Sequence, residues 1–452
     1  MRFELNKEFV EELQLAIQER SDESIKSMVA ELHPADVAEI LGELEPDDAH
    51  YLFNLLPSEL TADAIIELEE DDREELLEDL SGQEIAHAVI DHMDSDDAAD
   101  IISELPEEKQ DEVLSNITDI IQAGDIVDLL KYDPDTAGGL MATELISVNE
   151  NMTVRSCVEE IRKQAPDVGE FFYVYVTDDQ GILKGVLPLK NLLLANDNQK
   201  IKNIVEDIIS VKTDDDCEDV ANIMRKYDMV SMPVVDSIGR LKGRITIDDV
   251  VDVIKEEADE DYQIMSGITG DVDSSDSVFK LTKARIPWLL IGMGGGILSS
   301  IVVKGFDSDI ALHPVMASFI PMIGAMGGNV AIQSSSIIVQ SLANNTLGLD
   351  SAGKKILKEV LGALLNGAIV ATLAFLYNIF FANDFALSLT VSLSLITVVL
   401  FAAIVGTALP LAFDRMKIDP AVATGPFITT INDIMGMAIY FFIGCICYSM
   451  LG

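Results

Sequence analysis

Beyond residue 285 the chain is dominated by stretches free of Asp, Glu, Lys and Arg: Ile286 to Val303, Ile310 to Leu349, Val360 to Asn383, Phe385 to Phe413, and Pro420 to Gly452, the last interrupted only by Asp433. A helix needs roughly 20 apolar residues to cross the hydrocarbon core of a bilayer. Five membrane spans are therefore predicted, the second running from about Pro314 to Leu342. The front of the chain is patterned differently. Through residue 130 apolar positions recur at three and four, and Pro34, Pro46, Pro57 and Pro106 mark breaks, which predicts helix after helix. Ala35-Asp36-Val37-Ala38-Glu39-Ile40-Leu41 returns 61 residues later as Asp96-Asp97-Ala98-Ala99-Asp100-Ile101-Ile102, the mark of stacked helical pairs in a solenoid. A second repeat is strand-like: Val176-Thr177-Asp178, Gly181-Ile182-Leu183-Lys184-Gly185 and Leu189-Lys190-Asn191-Leu192 recur 58 residues on as Val234-Val235-Asp236, Gly239-Arg240-Leu241-Lys242-Gly243 and Ile247-Asp248-Asp249-Val250. Two β-hairpins, each leading into a helix, are the natural reading.

Charge sharpens this division. Residues 286–452 carry six basic and eight acidic side chains, leaving -46 of the total -48 on residues 1–285. That balance excludes a nucleic-acid binder, which needs basic surface against phosphate, and it makes the front repel itself unless cations screen it. Lys280, Lys283 and Arg285 precede the first span, Lys354, Lys355 and Lys358 lie between the second and third, and Arg415 and Lys417 between the fourth and fifth. Lys304 stands alone on the other side. Lys and Arg resist translocation, so the soluble front is expected in the cytoplasm, with Gly452 outside a plasma (inner) membrane crossed five times. Met1-Arg2-Phe3-Glu4 carries no apolar segment of a cleaved signal peptide. Cys157, Cys217, Cys445 and Cys447 show no paired metal spacing and read as core or lipid-facing residues.

Two features carry chemistry. Asp433 lies inside a span with no Lys or Arg to pair with it, and an ionised carboxylate at mid-membrane costs at least ~2.5–3.5 kcal/mol. Water or a cation must compensate the charge; the alternative is a protonated or hydroxyl-bonded structural acid. Thr429 and Gly425, at steps of four, and Gly436 put small and oxygen-bearing groups on the same helix face, which can line a pore. A site with few carboxylates and retained water suits Mg2+, and the lack of His or Cys beside Asp433 argues against Zn2+ or Cu. The second feature is the acidic run Asp248 to Asp261, whose like charges at helical spacing call for divalent cations, or else form a merely acidic linker helix.

The strand-like repeat resembles a pair of CBS domains, modules that often bind adenine nucleotides. Their Gly-x-x-Thr-x-x-Asp ribose run is present as Gly243, Thr246 and Asp249; the first copy has Pro188 and Asn191 instead. Taken whole, the chain resembles the MgtE family of Mg2+ channels, through Tyr132-Asp133-Pro134-Asp135-Thr136-Ala137-Gly138-Gly139-Leu140-Met141, Arg285-Ile286-Pro287-Trp288-Leu289, Gly327-Gly328-Asn329 with Gln333, and Asp419-Pro420-Ala421 through Gly425-Pro426, Thr429-Thr430 and Asp433. The resemblance implies a multidomain helical membrane protein: an α-solenoid N domain over 1–131, an α/β CBS pair over 132–258, a connecting (plug) helix over 259–284 and a five-helix pore domain over 285–452. It implies a homodimer in which Asp433 of each copy holds hydrated Mg2+, and closure by cytosolic Mg2+ at Glu218, Asp228, Asp249, Asp252, Glu257, Glu260 and Asp261, with Asp96, Asp97 and Asp100 of the N domain as further candidates. Mg2+ is then both cargo and regulator, with ATP a candidate ligand of the CBS pair. Ala331 and Gly425 depart from the family pattern at positions that bear on the inner lining. The expected function is a passive, Mg2+-gated Mg2+ channel and not an enzyme. Its rivals are an ion-coupled exporter or exchanger and a CBS-containing membrane sensor that conducts nothing.

Overall fold

The structure, a computed structural model, describes residues 3, 5–78, 80–169, 171–270, 272, 276–343, 352–381 and 384–451. The second charge-free stretch, past Ala343, and Gly452 with its expected outer location fall outside the described residues. The chain forms two compact units, Met1–Ile254 and Lys255–Gly452.

The first unit opens with short helices: α1 (Lys7–Gln18), α2 (Asp22–Val29), α3 (Pro34–Gly42), α4 (Pro46–Phe53), α5 (Ser58–Ile66), α6 (Glu70–Glu78), α7 (Gly82–Ala88), α8 (Ser95–Glu104), α9 (Glu107–Asn116) and α10 (Ile120–Leu129). Proline sets several starts. Pro34 occupies the first turn of α3, where its missing N–H costs nothing, and His33 with Asp36 closes a reciprocal cap. The sequence echo is an echo of burial: Val37, Ala38, Ile40 and Leu41 of α3 are buried, and so are Ala98, Ala99, Ile101 and Ile102 of α8. Arg73 ties the stack across helices, gripping Glu104 through two bonds of 2.8 and 2.6 Å.

Two three-stranded sheets follow. β1 (Ser147–Asn149), α11 (Val154–Gln164), β2 (Tyr173–Thr177), β3 (Leu183–Pro188) and α12 (Leu189–Leu194) form the first, and β4 (Val211–Lys212), α13 (Cys217–Tyr227), β5 (Ser231–Val235), β6 (Leu241–Thr246) and α14 (Ile247–Ser266) the second. In each, the outer pair is parallel and the hairpin antiparallel, with the same register, Val176 opposite Gly185 and Val234 opposite Gly243. The copies face each other about a local two-fold: Leu183 N donates to Gly239 O at 3.0 Å and Leu241 N to Gly181 O at 3.1 Å. Behind this contact the buried Tyr175 and Ser231 hydroxyls bond at 2.8 Å. The N-terminal helices share one apolar core with the second copy, through Val211, Met224, Met232 and Val250, whereas the first copy has its own. This joint core brings α8 to the start of α14.

The second unit begins in the latter part of α14 and continues with α15 (Val278–Lys304), α16 (Asp307–Leu312), α17 (Ile320–Ala343), α18 (Ala352–Phe381), α19 (Phe385–Arg415) and α20 (Gly425–Leu451). Five segments, Val278–Lys304, Pro314–Ala343, Gly353–Phe381, Phe385–Arg415 and Pro420–Leu451, are long and apolar enough to cross a membrane. α19 is the most buried of them and packs against α17, α18 and α20, while α15 and α18 turn large apolar side chains such as Leu298, Leu365 and Phe380 outward, as lipid-facing helices do. Close approach rests on small residues. A Cβ on Gly406 of α19 would lie 2.7 Å from the Ala331 carbonyl of α17, so no larger residue fits this crossing.

Replacing Ser231 by Ala leaves the Tyr175 hydroxyl buried without its partner. The expected cost is about 1–3 kcal/mol, read as a lower thermal midpoint of the soluble half in full-length protein.

Candidate ion pathway and acidic clusters

The fifth span is organised around its first turns. Asp419 Oδ1 accepts from Ala421 N at 2.7 Å and caps the turn Pro420–Ala423 that leads into α20. Gly425 follows with φ +55°, and a Cβ there would lie 2.4 Å from the Met265 carbonyl at the end of α14. This position therefore excludes a side chain on two counts, and Gly425 is covered by the connecting helix. Thr429 donates to the Gly425 carbonyl at 2.8 Å, and its methyl faces Gly328 of α17. One turn on, Asp433 Oδ1 lies 3.5 Å from the Cβ position of Gly324. The glycines of α17 thus let its backbone run beside Thr429 and Asp433, with no Lys or Arg anywhere in Pro420–Leu451 to neutralise the carboxylate.

A further feature of α17 escapes hydropathy. Asn329, Gln333 and Gln340 are exposed and Ser336 half-exposed, at spacings of four, three and four, which makes one polar stripe along a span. Polar side chains facing hydrocarbon are unfavourable, which sets this face of α17 apart from a lipid-facing one.

In the first unit a cluster forms where α8 meets the second CBS copy. Ligand oxygens of Asp94, Asp96 and Glu144 lie within 4.8 Å of one another. Ser95, fully buried, holds the set: its hydroxyl donates to Glu144 Oε2 at 2.9 Å and its N–H to the same oxygen at 3.3 Å. Asp96 Oδ1 is buried and has no hydrogen-bond partner among the described residues. Asp97 and Asp249 complete the surroundings, and Asp100 stands exposed further along α8. Burial, followed by the charge of Asp97, Asp249 and Asp94, raises the Asp96 carboxyl well above its usual range. Burial, then Asp249, Asp94 and Asp100, pushes Asp97 up to about 7. Burial also raises Asp94, reinforced by Glu144 and opposed by Arg244. So many buried like charges are tolerable only if protonated or bridged by a cation, and an all-oxygen donor set suits Mg2+.

The remaining candidates are dispersed. Glu218 sits in the first turn of α13 and Asp228 caps its far end with φ +52°. Ten residues of helix put them roughly 15 Å apart, so within one chain they cannot hold the same ion. Asp252, Glu257 and Glu260 are exposed along α14. Asp261 is different: burial first, then Asp419 and Glu260, push its carboxyl up to about 6, marking a second acidic junction where α14 meets the lead-in to α20. Glu144 and Asp419 were not legible as cluster members in the sequence, since each joins its cluster across a long chain separation, and Asp94, two residues before Asp96, reads there only as the residue preceding α8.

The nucleotide run is internally engaged. Asp249 Oδ2 accepts from both the N–H and the hydroxyl of Thr246 at 2.8 Å, and a Cβ on Gly243 would lie 2.6 Å from the Ala142 carbonyl. The first copy instead presents an open depression of about 440 Å3, lined by Asn191, Leu194, Ala195, Gln199, Ile204 and Glu206 among others.

Sequence profiles match the same segments: a divalent cation transporter domain (MgtE) over 320–443, an MgtE intracellular N domain over 32–135, and CBS domains over 137–197 and 201–256. The magnesium transporter MgtE of Thermus thermophilus is 32% identical over 440 residues, 95% of this chain and 96% of its own length. The chain belongs to the MgtE family of magnesium transporters. A second member, the magnesium transporter MgtE of Bacillus subtilis, is 30% identical over 418 residues, 92% of each chain. Among solved structures, the soluble part of a magnesium transporter aligns with TM-score 0.50 and 32% identity, covering 56% of this chain and 99% of its own. The cytosolic domain of the Mg2+ channel MgtE in complex with ATP aligns with TM-score 0.51 and 33% identity, covering 54% and 99%. As in the family, a helical N domain, a CBS pair and a multi-pass membrane region follow in that order.

The raised carboxyls have a pH signature. Asp97 titrates near 3.8 unfolded and at about 7 folded, so the folded chain keeps a proton that the unfolded chain releases. The stability tied to this proton is complete below the lower value and is lost as pH rises through the upper one. A divalent cation bound among these carboxyls would favour their ionised form and so compete with the protons. Addition of Mg2+ should raise the thermal midpoint of the full chain more at pH 8 than at pH 6, and Asp97→Asn should flatten that difference.

Proposed function

We propose that the chain is a passive Mg2+ channel, closed from the cytosolic side by Mg2+ itself. The observation that carries the pore reading is Asp433: a carboxylate on a span free of basic residues, set beside the glycine seam of α17 and one turn from the Thr429 hydroxyl. Two copies of α20, with the polar stripes of α17, would enclose a water-filled path in a homodimer, and paired Asp433 side chains would hold Mg2+ with much of its hydration retained. The membrane potential supplies the drive, ~2.3 kcal/mol per charge per 100 mV. Clustered basic residues on the loops beside the soluble half support a cytoplasmic N-terminus and an outer C-terminus in the plasma membrane.

The gating reading rests on the two acidic junctions. Around Asp94, Asp96, Asp97, Glu144 and Asp249, and again around Asp261, Asp419 and Glu260, carboxylates crowd without enough cationic side chains. When Mg2+ is abundant it bridges them and seats α14; when it is scarce, repulsion releases the helix. Asp252, Glu257, Glu218, Asp228 and Asp100 widen the acidic field that attracts the ion, and Glu218 and Asp228 serve separate sites or separate copies. For ATP, the open depression of the first CBS copy is the better candidate, because the oxygens of the second are already bonded internally.

Patch recording with internal Mg2+ stepped tests both parts. Asp433→Ala should abolish Mg2+ current while the dimer still assembles; Asp433→Asn conducting like wild type sinks the pore reading. Neutralising Asp249, Asp252 and Glu257 together should leave current flowing at millimolar internal Mg2+. A flux that instead follows a Na+ or H+ gradient would establish coupled exchange.

A further inference from the structure

We propose that Trp288 and Thr269 form a latch that fastens the end of α14 against the base of the first and fifth spans, and that this latch sets the Mg2+ level at which the channel closes. The proposal rests on the gated-channel reading above and adds the residues that transmit it.

α14 ends in a tight stop. Ile268 N donates to Gln263 O at 2.9 Å and Gly267 N to Ile264 O at 3.0 Å, the paired bonds of a helix that closes on a left-handed glycine. Gly267 has φ +79°, and a Cβ there would lie 2.6 Å from Pro426 Cγ. Together with Gly425 under the Met265 carbonyl, this makes two backbone approaches between the tip of α14 and the first turn of α20 that any side chain would force apart.

Shape alone does not fasten the tip; hydrogen bonds to α15 do. Thr269 N donates to the Ala284 carbonyl at 3.1 Å, and Trp288 Nε1 donates to the Thr269 hydroxyl at 2.7 Å. Pro287, inside α15, has no N–H to give the Lys283 carbonyl four residues back, and the next carbonyl, that of Ala284, accepts the Thr269 N–H from outside the helix. Among the described residues, the buried positions of α15 are Ala284, Trp288 and Gly295. The first two meet the latch, and the third is pressed on Thr430, where a Cβ would lie 2.2 Å from the methyl. One narrow face of the first span therefore holds both the tip of α14 and the turn of α20 next to Thr429. An indole donor and a threonine that both accepts from it and donates its N–H to the Ala284 carbonyl serve no purpose for membrane insertion, but together they bias a seated helix end over a released one.

The chain has one tryptophan, so its emission reports the latch alone. In full-length protein in lipid nanodiscs, Trp288 emission should change with Mg2+ over the concentration range that closes the current. Thr269→Val, which keeps the indole but removes its acceptor, should abolish that change and raise the Mg2+ needed for half closure about fivefold, the effect of one net hydrogen bond. Thr269→Ser should restore both. Trp288→Phe should reproduce the shift in closure with full current in the absence of Mg2+. Wild-type emission indifferent to Mg2+ while the current closes, or Thr269→Val closing at the wild-type concentration, overturns the latch and leaves gating intact. Currents that ignore Mg2+ overturn the gating reading and the latch with it.

Discussion

Negative charge that outnumbers its resident counter-charge, held where water is scarce, marks both halves of this molecule. In the membrane region it is a single carboxylate, Asp433, on a span with no basic residue; in the soluble region it is a crowd, -46 over residues 1–285, part of which is buried. Burial of ionised carboxylates is unfavourable unless something positive arrives. Asp433 has no basic residue on its span, and in the soluble region Arg244 offsets only part of the charge around Asp94 and Asp249.

The glycines translate that requirement into geometry. Gly324 and Gly328 bring the α17 backbone against the Thr429 and Asp433 face of α20, Gly406 closes α19 onto α17, and Gly425 and Gly267 let the tip of α14 meet the start of α20. Gly425 and Gly267 leave no soft side chains of their own between the tip of α14 and the first turn of α20, so a displacement of one is transmitted to the other. One helix, Ile247–Ser266, carries members of both acidic groups, Asp249 near its start and Asp261 near its end.

Much of the architecture is local in origin and was legible for that reason. The 61-residue echo reports which helix faces are buried, and the 58-residue echo reports hairpin register, since periodicity in a sequence is a direct image of which positions meet solvent. The five spans were equally plain, hydropathy needing no partner. Asp433 stood out because a lone acid in an apolar run violates its own surroundings. The composition of the acidic clusters was not legible. Glu144 joins Asp94 and Asp96 through Ser95, and Asp419 meets Asp261, pairings between segments far apart in the chain. The polar stripe of α17 was hidden for another reason: Asn329, Gln333, Ser336 and Gln340 barely lower the average hydropathy of their span, and only their common face gives them meaning.

Element types, repeats, the split between a soluble acidic front and an apolar rear, and the exceptional standing of Asp433 all follow from residue order, because each is decided by how a residue compares with its near neighbours. Which acids share a cluster, why Gly425 and Gly267 must lack side chains, what engages Thr246 and Asp249, and which carbonyl of α15 takes the Thr269 N–H were decided only on folding. Those properties depend on distances of a few ångströms between segments tens to hundreds of residues apart, and such distances are set by packing of the whole chain.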